Sequence, residues 1–357
     1  MSPTADAKRR PAPPFEGGSA PARAPGETVA GWEGARPKDT VVWVLAKQTD
    51  SALAVLDPPP LGVRFVRGET VDAFRDATPP DAIFICSMGR KLVEPVLGLA
   101  PHVRWMHSRS AGVEYLMFPA VTESAVPLTN ARGVFSPSLG EFVMAAVLFF
   151  AKDLRRMVKS QAARTWDPFD LDWAHAKTMG ILGYGDIGRA AAERAHAFGM
   201  RVLALRRDVA AARRDPLVDE AFPLDRRADL MAASDYVVVA APLTPETRGL
   251  VGAAEIAAMK PSAVLINVGR GPIVDEAALV AALQEGRIRG AALDVFDKEP
   301  LPPEHPFYRL ENVLLSPHCA DNTPGWLEGS MRFFLENLER FRNGGPLLNL
   351  VDKKRGY

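Results

Sequence analysis

Two cysteines among 357 residues, Cys86 and Cys319, are too few for a disulfide framework or a cysteine-based zinc site, and they suit a reducing compartment. Charge of one sign is lacking as well. The 43 Lys and Arg residues balance 43 Asp and Glu, so no net field draws the chain to nucleic acid or to an anionic membrane. The longest apolar run, 142–151, is well short of the roughly 20 residues that cross a bilayer. Large apolar residues are scarce in 1–38, where seven prolines and five glycines surround only Met1, Phe15, Val29 and Trp32. That stretch cannot bury a core and is expected to be disordered. It has no apolar segment of the signal-peptide kind, and its four acids and few serines argue against a transit peptide. A cytoplasmic location is expected, with organellar import by this tail as the alternative.

What the chain does have is 47% apolar residues and a length suited to two or three domains. From Thr40 onward, strand-like runs at 41–45, 62–66, 81–86 and 103–107 alternate with helical stretches near 71–77 and 92–99. Alternation of this kind predicts a parallel sheet with helices on both faces. A long helix is expected over 138–154, with Phe142, Ala145, Ala146, Phe149 and Phe150 at helical spacing. Further strands are expected at 179–182, 202–205, 236–240, 263–267, 290–294 and 312–316, which makes a second, six-stranded doubly wound unit. A final helix, 325–342, ends at Asn343-Gly-Gly-Pro346.

The second unit opens with Gly183-Tyr184-Gly185-Asp186-Ile187-Gly188, between a buried strand and an alanine-rich helix over 189–198. Gly183 suits the tight turn, Gly185 the approach of a pyrophosphate, and Gly188 close packing of helix on strand. The helix N-terminus offers free N–H groups to phosphate. The alternative is an ordinary glycine loop, but the flanking βαβ pattern favours a dinucleotide.

Ligands of an open α/β sheet bind beyond the carboxyl ends of its strands. Three candidate residues stand there. Arg270, between two glycines, offers a paired hydrogen-bond fork for a carboxylate, or else is a surface arginine. Glu299 and His318 belong to later strand-end loops. A glutamate bonded to the imidazole favours the protonated ring, which leaves a usable acid near neutrality. Taken alone, His318 reads as a structural histidine.

With these residues together, the chain from about 40 to 351 resembles the D-isomer-specific 2-hydroxyacid dehydrogenases. The matching motifs are Gly183-Tyr-Gly-Asp-Ile-Gly188, Pro242-Leu-Thr-Pro-Glu-Thr247, Asn267-Val-Gly-Arg-Gly271, Leu293-Asp-Val-Phe-Asp-Lys-Glu-Pro300 and Ser316-Pro-His318. The resemblance implies an α/β fold of two doubly wound parallel-sheet domains, with a Rossmann-type cofactor domain (139–321) inserted in a flavodoxin-like substrate domain (39–138 and 322–357). It implies a catalytic Arg270/Glu299/His318 set, with substrate carboxylate held by Arg270 and by backbone N–H groups of Ala111 and Gly112. The cofactor contacts it implies run through the glycine loop, Pro242, Thr247, Val268, Asp294 on the nicotinamide amide, and His318. It also implies a homodimer.

NAD sites carry an acid about 20 residues past the glycine loop, on the ribose hydroxyl. Here Arg206 and Arg207 occupy that place, which favours NADP(H) over NAD(H). A solvated arginine pair with Asp208 supplying the acid is the alternative. The expected activity is reduction of a small 2-oxo acid, such as glyoxylate or hydroxypyruvate, or oxidation of the matching 2-hydroxy acid. Position 299 is not the glutamine of formate dehydrogenases, and a long phosphoglycerate dehydrogenase with a C-terminal regulatory domain is not expected. A dinucleotide-sensing, corepressor-like binding module is the rival from another class. Trp166 and Trp326 are candidates for pocket walls.

Overall fold

A computed structural model describes residues 39–86 and 88–357, so the tail expected to be disordered lies outside the described residues. The first sheet contains β1 (Thr40–Leu45), β2 (Val63–Gly68), β3 (Ala82–Ile85), β4 (Trp105–Ser108) and β5 (Leu128–Asn130). Its order is β2-β1-β3-β4-β5, and every pairing is parallel. All six residues of β1 are buried. Helices cover both faces, so the strand reads as a continuous apolar run rather than an alternation.

One of those helices comes from the far end of the chain. Trp326–Arg342 packs on this sheet through Met331, Phe334, Leu338 and Phe341, in one buried cluster with Val42, Phe84 and Trp105. Phe334 stacks on Phe84 with ring centroids 3.9 Å apart. Full burial of such a ring contributes roughly 1.5–3 kcal/mol.

The second sheet contains β6 (Thr178–Leu182), β7 (Arg201–Leu205), β8 (Glu220–Phe222), β9 (Tyr236–Val239), β10 (Val264–Asn267), β11 (Gly290–Leu293) and β12 (Val313–Leu315). Its order is β12-β11-β10-β9-β6-β7-β8, all parallel, and the chain reverses direction at β6 between β7 and β9. These are the flavodoxin-like and Rossmann-type orders. Because every strand is parallel, all the loops that follow strands emerge on one edge of each sheet.

The sheets are larger than the sequence patterns predict. β5 and β8, three residues each, are the strands the patterns do not give, whereas β12, as short, falls within the expected 312–316. The predicted helix over 138–154 is two helices, Ser136–Ala151 and Leu154–Ala163. Asp153 separates them in a left-handed conformation and accepts from the Arg156 N–H at 3.4 Å as the cap of the second. That second helix buries none of its residues, and its apolar positions Leu154, Met157 and Val158 are exposed. Of the face expected for the first helix, Ala146 and Phe150 are buried, Phe142 and Phe149 half-buried and Ala145 exposed, and the buried stripe also takes in Leu139, Val143 and Val147. Gly140 on this helix meets the backbone of Ala190, where a Cβ would lie 2.9 Å away.

The helix after the glycine loop begins at Asp186, three residues earlier than predicted. The stretch near 71–77 is a single turn, Asp72–Arg75.

Candidate active site

The glycine loop follows β6 at the point where the strand order reverses. Gly183 has φ +94°, and a Cβ there would stand 2.5 Å from the Ala241 backbone. Only glycine satisfies both conditions. At Gly188 a Cβ would meet the Gly183 carbonyl oxygen at 2.7 Å, so its absence sets the spacing between helix and strand. At Gly185, the N-cap of Asp186–Ala197, a Cβ would meet no atom within 4 Å. A tight turn, an open approach to the backbone and a helix N-terminus together fit the pyrophosphate of a dinucleotide.

The remaining residues of the loop have separate tasks. Tyr184 turns inward and is 4% exposed, with its phenol pushed above the usual range by burial and by nearby Asp215. Asp186 pairs with Arg132 at 3.0 Å, a contact reaching over from the first sheet's side. Ile187 packs, half-buried, on the core beneath.

Arg206 and Arg207 lie exposed just past β7. Asp208 is the N-cap of Val209–Arg213, and its carboxylate accepts from Ala211 N at 2.9 Å. Asp208, the acid next in the chain, is therefore engaged in capping a helix. Past β9, the Thr247 hydroxyl donates to the Pro242 carbonyl at 2.6 Å and accepts from Thr244 N at 2.8 Å. Thr247 thus ties its own loop together. Val268, past β10, is buried in the core.

Arg270 stands on the turn after β10. Asn267 fixes that turn, donating to the Arg270 carbonyl at 3.1 Å and accepting from Gly269 N at 3.1 Å. A Cβ on Gly271 would overlap the backbone of Phe296 and Asp297, so this glycine lets the Arg270 turn lie against the loop that carries Glu299. The guanidinium reaches across to the first unit. Its Nε donates to Glu114 Oε1 at 2.7 Å, and Nη1 donates to the Gly269 carbonyl at 2.7 Å. Nη2 occupies the space that a side chain at Gly112 would fill. The Ala111–Gly112 turn is itself held by Asn130, whose Nδ2 donates to the Ala111 carbonyl at 2.7 Å. Two sources of N–H groups for a carboxylate, one from each unit, therefore meet. Glu114 holds Nε and the Gly269 carbonyl holds Nη1, so Nη2 is the nitrogen turned to the Gly112 side.

His318 and Glu299 meet on the same rim. His318 Nδ1 lies 2.6 Å from Glu299 Oε2, and Glu299 Oε1 accepts from Phe296 N at 3.0 Å. Nδ1 is bound by the glutamate, so Nε2 is the ring nitrogen left for proton exchange. His318 has φ +51°, rare for a residue with a side chain. It is held there by Asp294, whose carbonyl accepts from His318 N at 2.9 Å. Asp294 Oδ1 accepts from Ser316 Oγ, Cys319 N and Ala320 N at 2.6, 2.9 and 3.1 Å. Strain of this kind persists where the surroundings over-determine it.

Two acids at the site carry no sequence signal of their own. Glu114 acts through an ion pair that forms only in the folded chain. Asp321 sits among charges, with its carboxyl pushed upward by burial first and then by Asp294, and drawn back by His318 and Arg270. Trp326 is half-buried edge-on against Phe135, whereas Trp166 is 95% exposed and stands out from the surface. Among the described residues, no cluster has the make-up of a metal site, and no helix is long and apolar enough to cross a membrane.

A family model described as the NAD-binding domain of D-isomer-specific 2-hydroxyacid dehydrogenases matches residues 144–320. The glyoxylate reductase of Thermococcus gammatolerans is 34% identical over 279 residues, 76% of this chain and 82% of that protein. A D-isomer-specific 2-hydroxyacid dehydrogenase from Xanthobacter autotrophicus, solved with NADPH and MES, is 32% identical with a TM-score of 0.75, covering 90% of this chain and all of that one. An NADPH-dependent glyoxylate/hydroxypyruvate reductase from Sinorhizobium meliloti, solved with NADP and sulfate, is 27% identical with a TM-score of 0.76, covering 89% of this chain and all of that one.

Proposed function

The chain belongs to the D-isomer-specific 2-hydroxyacid dehydrogenase family, and from that premise we propose that it reduces a small 2-oxo acid, glyoxylate or hydroxypyruvate, with NADPH. The observation that carries this reading is the His318–Glu299 pair at 2.6 Å, on the rim shared with the Arg270 turn and the glycine loop. The dinucleotide, when bound, supplies the hydride that the substrate C2 receives. Arg270 and the amides of Ala111 and Gly112 hold the substrate carboxylate and so fix which face of C2 is presented. His318 gives a proton to the carbonyl oxygen as it becomes a hydroxyl, and Glu299 stabilises the charged ring and fixes its orientation. Asp294 keeps the His318 loop in register and faces the nicotinamide end.

The substrate-holding unit comprises 39–138 with 322–357, and the cofactor unit 139–321. Arg206 and Arg207 carry the preference for NADP(H), because guanidinium groups suit a 2′-phosphate and Asp208 is occupied as a cap. The bound NADPH and NADP of the two solved relatives support the same assignment. A homodimer is part of the same reading, and the exposed apolar side chains Val158, Trp166 and Trp173, at 63%, 95% and 71%, are candidates for its contact. Both cysteines are unpaired, which suits a cytoplasmic location.

Initial rates of reduced-nicotinamide oxidation with glyoxylate, hydroxypyruvate and pyruvate test the reading. NADPH turnover above NADH turnover with one of the first two acids is expected. Tight dinucleotide binding without turnover of any acid would transfer the weight to the sensing, corepressor-like reading.

A further inference from the structure

We propose that Tyr357 is a positioning residue for Arg207, so that selection of the cofactor's 2′-phosphate depends on a ring supplied from the substrate-holding unit. This rests on the reading of Arg206 and Arg207 as the 2′-phosphate site and adds a residue that no motif of the chain indicates.

The segment 349–357 is fastened to the first unit at several points. Leu350 forms an antiparallel bridge with Thr129, and Val351 N donates to the Leu128 carbonyl at 2.8 Å. Asn349 Nδ2 donates to the carbonyls of Asn130 and Arg132 at 3.2 and 2.7 Å. Lys353 Nζ donates to three carbonyls, those of Val121 at 3.1 Å, Ser124, and Val126 at 2.9 Å. The chain then closes on itself, with Asp352 N donating to the Tyr357 carbonyl at 3.0 Å and Gly356 N to the Asp352 carbonyl at 2.8 Å. A ring fixed this firmly to one unit reaches the other. The Arg207 guanidinium carbon lies over the Tyr357 ring, 5.2 Å from its centroid. Glu246, on the loop after β9, is the acid that feels the Arg207 charge.

The geometry matters because of what each kind of partner uses. A carboxylate would engage the N–H groups of the guanidinium and compete with phosphate for them. An aromatic face engages the guanidinium plane and leaves its N–H edge free. An exposed arginine also loses considerable rotamer freedom when it is fixed on a phosphate, and a ring that already restricts it lowers that cost. NADH has no 2′-phosphate, so its binding would not draw on this arrangement.

The experiment measures KM for NADPH and for NADH in Tyr357→Ala, Tyr357→Phe, Arg207→Ala and the double variant Arg207→Ala/Tyr357→Ala. Tyr357→Ala should raise KM for NADPH by roughly three- to fivefold, the scale of an exposed cation–π contact, with KM for NADH and kcat unchanged. Tyr357→Phe should match the wild type, and the double variant should be no worse than Arg207→Ala, since the two residues act as one unit. An unchanged KM for NADPH in Tyr357→Ala, or an equal rise for both cofactors, would overturn the proposal while leaving the phosphate reading in place if Arg207→Ala still weakens NADPH. If Arg207→Ala itself leaves NADPH untouched, the phosphate reading of Arg207 fails and takes this proposal with it.

Discussion

Arg270 and Gly112 come from different units and fit together because position 112 has no side chain: the Arg270 Nη2 stands where a Cβ would be. This contact joins the strand-end turn of β10 to the Ala111–Gly112 turn after β4. It makes the proposed carboxylate clamp a property of the assembled pair rather than of either unit.

Gly112→Ala should therefore displace the guanidinium without touching the glycine loop. The expected result is a fall of about a hundredfold in kcat/KM for the 2-oxo acid, the scale of an ångström-sized misplacement at a reacting centre. The dinucleotide Kd, measured by fluorescence titration, should stay near the wild-type value. Undiminished turnover would mean that Arg270 does not need its observed position.

Glu114 makes a different prediction, because its carboxylate orients Arg270 through Nε at 2.7 Å. Glu114→Gln keeps the shape and an acceptor but loses the charge that strengthens the bond. KM for the 2-oxo acid should rise about tenfold, roughly 1.4 kcal/mol, just under the roughly 1.5–3 kcal/mol of a charge-assisted hydrogen bond. A change confined to the dinucleotide KM would place Glu114 elsewhere in the mechanism.

Much of this site could be read from the chain before folding, and the reason is local. Gly183, Gly185, Arg270, Glu299 and His318 sit in loops that follow strands, and Gly188 in the first turn of the helix after one, so parallel topology puts them on one edge. Their positions follow from residue type and spacing, and the roles proposed for them from the family resemblance. Glu114 and Tyr357 could not be read this way, because each acts through a partner on the other unit and neither has a spacing that marks it. The same division holds for the fold. Long buried strands such as Thr40–Leu45 declare themselves, whereas β5 and β8, at three residues each, depend on the neighbours they pair with. The break before the helix Leu154–Ala163 is not legible in the chain, because the left-handed Asp153 that makes it carries no sequence signature.

His107 links stability to pH. It is fully buried among Phe84, Trp105, Phe333 and Phe334, with Nδ1 sharing a hydrogen bond with Thr129 Oγ1 at 2.7 Å and Nε2 without a partner. Burial lowers its pKa to about 3 from the usual 6.5. The unfolded chain therefore binds the extra proton first as pH falls, so this contribution is fully present above pH 6.5 and is lost progressively down to about 3. Between pH 7 and 5 the loss should be about 2 kcal/mol, from the linkage slope of one proton. Urea unfolding of the wild type and of His107→Leu at both pH values checks this: the variant's own stability should depend on pH less steeply by that amount. Equal slopes would mean that His107 is reached by protons in the native state.

The most direct test of the central claim, that His318 held by Glu299 is the proton donor to the substrate oxygen, is a single-turnover measurement on His318→Ala with NADPH and the preferred 2-oxo acid, paired with an NADPH titration. The account predicts a rate lowered by about a hundred- to ten-thousandfold, the usual contribution of a positioned general acid, with NADPH binding nearly intact. Turnover at the wild-type rate would contradict it and leave the His318–Glu299 pair as a structural feature of the rim.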